Sequence, residues 1–578
     1  MISPFVRVIP AIRTPLGVEE FDFSVPDELD LVVGDLVFVP FRKRATPALV
    51  RELIDASPFR ERIKPVTKRL HDVRLPQATI TLLHALATHT FTSSPTVLAS
   101  WMRTIPKTGS PTNQHDASPC LKHPSPSHVS HWTLTPEHDL INEARRRFAR
   151  GERVLILAPW MIRAKKIADE LGNALLLTNN EKTSDAFRAW SSFVSGDARL
   201  LVATRLGAWL GSVADSLLID EPENDDHKQD ELTPRYDARW IAHWCEINRP
   251  IPVETFGLTP RITPRSSEAI VPTIPLDLRV HIRHPSGKTA IPMIQADTLE
   301  MIRLHDGPRL IIHPIRGTFA RLVCRDCGWR ATCEACGADL SADSVCARCR
   351  TCGRTSSLPL DCASCHGASL NKSWPGLVTL MQAWAAHEAT ISVSWRDLSN
   401  ENMDAPIPKH ALVLVTEATL LGGGREDVRR IERRLITFRR LASRVSVAQG
   451  ALIVQCHEDV AQDWPLWLTN TGVKATMARE REERRLFGYP PAVHLTKIIV
   501  NGDEATARAW IERAHAAIGS SLQARGPFPV LQRARSRPSR WIWHLLFSSD
   551  GPSAKERQAL ASIARGVIVD LDPIAFFM

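Results

Sequence analysis

Between residues 324 and 365 the chain carries four Cys-x-x-Cys pairs: Cys324 with Cys327, Cys333 with Cys336, Cys349 with Cys352, and Cys362 with Cys365. Two residues between ligands let one tight turn aim both sulfurs at one metal, and eight thiolates suffice for two tetrahedral Cys₄ zinc sites. Gly328, Gly337 and Gly353 each follow a second cysteine, where such a turn needs a positive φ. Nine of the twelve cysteines fall in this window. The ninth, Cys346, reads as a spare thiol, or else replaces a neighbour as ligand. Spacing alone permits sequential or nested pairing of the four motifs. A disulfide framework is set aside, because the chain is long, opens without a charged-then-apolar leader and has a cytosolic composition.

The elements that must hold these thiolates belong to a chain of 578 residues, long enough for roughly three to five domains. With 44% hydrophobic and 23% charged residues it builds ordinary cores. It has no apolar run of about 18 residues, so a cytoplasmic protein without a membrane partner is expected. A net charge of +9 and a pI near 9.0 favour a polyanionic partner, with nucleic acid foremost.

Residues 1–74 read as short strands and turns, a small β-barrel with a cationic rim that includes Arg42, Lys43, Arg44, Arg51, Arg60, Arg62, Lys64, Lys68 and Arg69. Residues 75–105 lean to helix. The stretch 106–135, rich in Pro, Ser, Thr and His, reads as a linker. From 136 to 274 helices alternate with apolar strands, ending in Ser216-Leu-Leu-Ile-Asp-Glu221, which predicts a doubly wound parallel sheet with Asp220 and Glu221 at a strand's carboxyl end. A second α/β unit, 275–470, carries the cysteine module as an insertion at 322–368. Its triple glycine, Gly422–Gly424, reads as a flexible loop, and residues 424–444 read as an amphipathic helix with a cationic arginine face. The end domain, 471–578, is βαβ-like. Its Arg533, Arg535, Arg537 and Arg540, next to Trp541 and Trp543, suit phosphate contact with base stacking.

Taken in order, these residues resemble the bacterial primosomal protein N′ (PriA) family of replication-restart helicases. Phe21-Asp22-Phe23 and Val-Pro-Phe41 are similar to that family's 3′-end DNA-binding domain, and Glu483-Arg-Arg-Leu-Phe-Gly-Tyr-Pro-Pro491 to the lead-in of its C-terminal domain. Asp220-Glu-Pro-Glu223, Lys228-Gln229 and Arg235-Tyr-Asp-Ala-Arg239 match the spacing around its Asp-Glu-x-His motif. Thr204-Arg205 and Gly257-Leu-Thr-Pro260 match two further motifs. The resemblance implies two RecA-like lobes, a winged-helix region at 75–105, a zinc insertion in lobe 2 and a DNA-binding C-terminal domain. It implies nested metal pairing: Cys324, Cys327, Cys362 and Cys365 on one zinc, Cys333, Cys336, Cys349 and Cys352 on the other. It also implies a 3′-terminal nucleotide pocket from Phe21, Asp22 and Lys64, though Arg42 stands where the family has glycine. Branched or forked DNA, primosome proteins and single-strand-binding protein are the implied partners.

The chain departs from the family where ATP is handled. A Gly-Lys-Thr loop is required near 131–140, but His-Trp-Thr-Leu-Thr-Pro-Glu-His-Asp-Leu has neither glycine nor lysine. Gly287-Lys288-Thr289 reads as a chance match in a turn. The Gly-Arg-x-Gly-Arg arginine-finger motif is replaced by Ser443-Arg-Val-Ser-Val-Ala-Gln-Gly450, and the histidine of Asp-Glu-x-His by Glu223. ATP and Mg²⁺ are therefore not expected as cofactors, and Asp220 and Glu221 are read as a degenerate nucleotide site. The expectation is a helicase-shaped, non-enzymatic restart protein. The alternatives are a 3′–5′ helicase working through unusual residues and a zinc-ribbon regulator that binds RNA or protein.

Overall fold

The computed structural model describes the chain apart from residues 1–3, 42–43, 60–62, 105–127, 264–267, 284–290, 316–318, 334–339, 343–345, 350–354, 423–427, 520–521, 530–539 and 575–578. The architecture is mixed α/β. At the N-terminus five strands pair antiparallel in the order Phe21–Ser24, Phe5–Pro10, Arg44–Ile54, Asp35–Phe41, Lys68–Arg74. The edges approach closure: Ser24 N–H donates to Lys64 O (3.1 Å) and Val66 N–H to Ser24 O (2.9 Å). Helices Gln77–His89 and Ser94–Trp101 follow, and their buried faces share a core with the first parallel sheet.

That sheet has six parallel strands in the order His128–Trp132, Val253–Gly257, Ser216–Asp220, Val154–Leu157, Leu200–Ala203, Leu175–Leu177. Its central strands are continuous buried runs because both faces are covered: Leu155, Leu157 and Leu217 enter one core, Val154, Ile156 and Leu218 the other. The edge strand His128–Trp132 corrects the linker reading of 106–135. His-Val-Ser-His-Trp lacks an apolar run, and it is the pairing with Val253–Gly257 that makes it a strand. Residues 105–127 lie outside the described residues.

The second parallel sheet runs Asp277–Ile282, Ala451–Cys456, Leu412–Val415, Arg309–Ile312, Ser394–Arg396. Between its strands Arg309–Ile312 and Ser394–Arg396 the cysteine module is inserted, entered by Phe319–Cys324 and left by the antiparallel Leu370–Pro375. A small three-stranded sheet, Leu340–Ala342, Cys346–Cys349 and Thr355–Ser357, lies inside it. The end domain is a four-stranded sheet in the order Gln523–Pro529, Arg540–Phe547, His494–Asn501, Val567–Leu571, backed by helices Glu504–Ile518 and Ala554–Ile563. Its pairings are all antiparallel, which corrects the βαβ-like expectation. Among the described residues no helix is long and apolar enough to cross a membrane.

Candidate functional site

The metal centre is built from two matching turns on distant segments. Cys324 ends a strand, and the chain reverses so that Gly328 N–H donates to Cys324 O (3.0 Å), with Gly328 at φ +74. The same device recurs at Cys362, where His366 N–H donates to Cys362 O (2.9 Å). The turns face each other, and the sulfurs of Cys324, Cys327, Cys362 and Cys365 all lie within 4.8 Å of one another. Cross-pair distances are 3.6 Å for Cys324–Cys365 and 3.5 Å for Cys327–Cys362. A disulfide needs about 2.05 Å, whereas a tetrahedron with metal–sulfur arms of about 2.3 Å has edges of about 3.8 Å. None of the four is in a disulfide. The donor set and spacing fit one tetrahedral metal ion, and the grouping is the nested one.

For the other four thiolates, Cys336 and Cys352 lie outside the described residues, as does the Cys349 side chain. Cys333 is buried and Cys346 half-buried. Among the described residues a single four-cysteine cluster is found.

The acid pair is differently placed. Asp220 closes its strand fully buried, and Glu221 turns the chain at φ 45. Both Asp220 oxygens are taken by the buried Arg163 guanidinium, which donates from Nε (2.7 Å) and Nη2 (2.9 Å). Arg163 also pairs with Glu137 (2.6 Å). Burial pushes Asp220 up to about 6. Burial disfavours the Arg163 cation, but Asp220 raises its pKa well above the ordinary value. Glu221 meets Arg440 of the second domain (3.4 Å), which also pairs with Asp404 (2.5 Å) and lies 4.8 Å over the Trp160 ring. Against burial, Arg440 and Arg163 hold Glu221 below its usual pKa. Neither carboxylate presents a free edge to a divalent cation.

From strand His128–Trp132 to helix Pro136–Ala149 only Thr133, Leu134 and Thr135 intervene. Thr133 N–H bonds Gly257 O (3.1 Å) and Leu134 O accepts from Ser443 (2.7 Å), so the connection is a tied link with no open loop. Burial pushes Glu223 up to about 8, and its neighbours Glu221 and Asp220 add to the shift. Its Oε2 is buried without a hydrogen-bond partner. Gly287-Lys288-Thr289, with Gly423 and Gly424, lies outside the described residues.

In the N-terminal domain Phe21 stands edge-on to Phe41, with centroids 5.1 Å apart. Asp22 accepts from Arg7 Nε (2.9 Å) and Ser57 Oγ (2.6 Å), partners its sequence neighbourhood does not announce. Lys64 is exposed, and its backbone borders the strand that carries Phe21 and Asp22. Part of the expected cationic rim is neutralised, since Arg69 pairs with the buried Asp35 (2.8 Å). Arg42, Lys43, Arg60 and Arg62 lie outside the described residues.

Two further expectations are corrected. Helix Arg430–Val447 does not present its arginines to solvent as a face: Arg434, Arg439 and, within a cluster around Asp404, Arg440 and Arg444 are spent on internal partners. Trp543 is buried, and its indole N–H donates to Ala507 O (2.9 Å), so it offers no stacking surface. Arg533, Arg535 and Arg537 lie outside the described residues. Arg163 is the functional residue the sequence reading misses. Its signal is a cation in line with Ala164, Ile167 and Ala168 on the buried stripe of its helix, from which Lys165 and Lys166 are absent.

A multidomain α/β protein with a β-rich N-terminal domain, two parallel-sheet domains and a four-cysteine cluster that fits a metal site is thus defined. Two family models match the chain: the PriA 3′DNA-binding domain (3′BD) over residues 11–103 and the primosomal protein N C-terminal domain over residues 485–574. In this order at the two ends, they support a primosomal protein N′ (PriA) identity. The first match begins after strand Phe5–Pro10 and runs through the rest of the N-terminal sheet and the two helices after it, across the boundary expected at 74. No curated protein matches the chain.

Proposed function

We propose that this chain is a DNA-binding replication-restart protein that recognises stalled or branched forks and helps reload a replicative helicase without turning over ATP itself. The two family matches support the DNA-binding and restart role. The observation that carries the absence of a motor is the bidentate Arg163–Asp220 pair: where a nucleotide site keeps an acid for Mg²⁺, both oxygens here are engaged by an internal cation. The three-residue link Thr133–Thr135 supports the same reading, because a phosphate cradle needs a longer glycine-rich loop. The two parallel sheets, the first with its acid pair at a strand's carboxyl end, are read as degenerate RecA-like lobes. The metal at Cys324, Cys327, Cys362 and Cys365 is read as zinc, with a second zinc on Cys333, Cys336, Cys349 and Cys352.

The test is an ATPase assay on zinc-loaded protein with forked DNA. No turnover above background, alongside tight fork binding, is the expected result. Hydrolysis stimulated by forks and abolished by Asp220→Asn would instead make the protein an active 3′–5′ helicase. Comparable affinity for unrelated RNA at matched salt would favour a regulator of different target. The 3′-end pocket is tested separately: Phe21→Ala and Lys64→Ala weaken binding to DNA with a free 3′ end more than to 3′-blocked DNA.

A further inference from the structure

We propose that the two parallel-sheet domains are clamped in one closed arrangement by a single helix face, with internal guanidinium groups doing at the acid pair what a bound ligand would otherwise do. The inference rests on reading the acid-pair crevice as independent of nucleotide.

The face belongs to helix Arg430–Val447. Residues 432, 433, 439, 440 and 443 fall within an arc of about 120° at 100° per residue. Four of them reach the first domain, and Glu432 reaches the segment that leaves it. Glu432 accepts from Ile262 N–H (2.8 Å), and Arg433 pairs with Asp225 (3.2 Å). Arg439 donates to Thr259 Oγ1 (2.9 Å), Arg440 meets Glu221 and Trp160, and Ser443 donates to Leu134 O (2.7 Å).

Ion pairs alone would not fasten such a joint, because opening it returns the charges to water. Two features supply what they lack. Trp132 and Leu134 of the first domain pack against the hydrophobic core of the second. Arg439, fully buried, spends its other donors on Trp467 O (2.5 Å) and Pro272 O (2.7 Å), so its bond to Thr259 comes from an immobilised group. At the acid pair, cations arrive from both sides: Arg163 from the first domain and Arg440 from the second. A ligand bridging two domains closes them by contacting both, and here the chain contains the bridge. Relative motion is the default for domains in one chain unless their interface is large and apolar. This interface adds an apolar plug to buried cations paired across it.

The experiment is single-molecule energy transfer in the full chain, with dyes on click-reactive residues replacing Arg188 in the first domain and Leu304 in the second, both exposed. One narrow population, unchanged by ATP–Mg²⁺ or forked DNA, is expected. Arg440→Gln combined with Ser443→Ala should broaden or shift it. The unsubstituted clamp decides the matter even if that double variant fails to fold. Two populations without ATP turnover overturn the clamp while leaving the non-motor reading intact. A shift on adding ATP–Mg²⁺, accompanied by turnover, overturns both. A double variant that folds and gives an unchanged distribution overturns the assignment to this helix face.

Discussion

The cysteine cluster and the acid pair are both groups of anionic ligands gathered at one point, and they differ in what neutralises them. Around Cys324, Cys327, Cys362 and Cys365 the sulfurs face one another within 4.8 Å, the spacing of ligands around one metal ion. At Asp220 and Glu221 the chain has supplied the cations itself, Arg163 with two hydrogen bonds and Arg440 across the domain boundary. Concentrated negative charge must be compensated wherever it is buried. A site that leaves compensation to an ion depends on that ion for its fold, and a site that brings its own guanidinium has no need of one. The first therefore keeps the geometry of a metal centre, while the second has the geometry of a salt bridge.

The largest effect expected from this contrast is metal loss. Structural zinc contributes about 10–16 kcal/mol in small zinc peptides. Cys327→Ser, or chelation, should remove one ion per chain and unfold the insertion locally, with the two parallel sheets retained. Metal analysis and hydrogen exchange across residues 319–375 read both. A variant that keeps its full metal content breaks the ligand assignment. The converse holds at the acid pair, where Arg163→Ala strands a buried carboxylate and should cost about 3–5 kcal/mol in chemical denaturation. Adding Asp220→Asn should recover much of that loss, because the uncompensated charge goes with it. If the wild-type protein binds Mn²⁺ and Asp220→Asn abolishes the binding, the two sites are alike after all, and the comparison fails.

What the sequence shows of these sites follows the range of the interactions. The Cys-x-x-Cys turns are local, so their eight thiolates are legible from spacing, but the meeting of Cys324 and Cys327 with Cys362 and Cys365 is long-range and comes only from a family resemblance. The buried runs Val154–Leu157, Ser216–Asp220 and Leu412–Val415 announce parallel strands, because both faces of each are covered. His128–Trp132 announces nothing, since its strand character comes from its partner. The arginines of helix Arg430–Val447 read as a solvent face because a charge seen without its partners suggests water. Asp225, Thr259, Asp404 and Glu221, which engage four of them, lie far away in the chain. Arg163 hides for the same reason, 57 residues from the carboxylate it neutralises.

Glu223 gives the most selective test of the contrast, for among the described residues it forms no direct ion pair, and its oxygen Oε2 is buried without a hydrogen-bond partner. Burial, helped by the neighbouring carboxylates, raises its pKa from 4.5 to about 8, so it is compensated by holding a proton instead of meeting an ion. In the unfolded chain the group ionises near 4.5, while in the folded protein it stays neutral until about 8. Its contribution is therefore fully present below about pH 4.5 and is lost as pH rises toward 8, because only the unfolded state gains the favourable ionisation. Glu223→Gln keeps the neutral shape and removes the titration. The variant should match the wild-type protein near pH 4.5 and exceed it by about 4 kcal/mol at pH 8, measured by denaturant unfolding at the two values. A gap that stays constant with pH would mean that Glu223 is ionised in the folded protein. A third kind of compensation would then have to be found beside Gly257, against which its oxygen Oε2 lies.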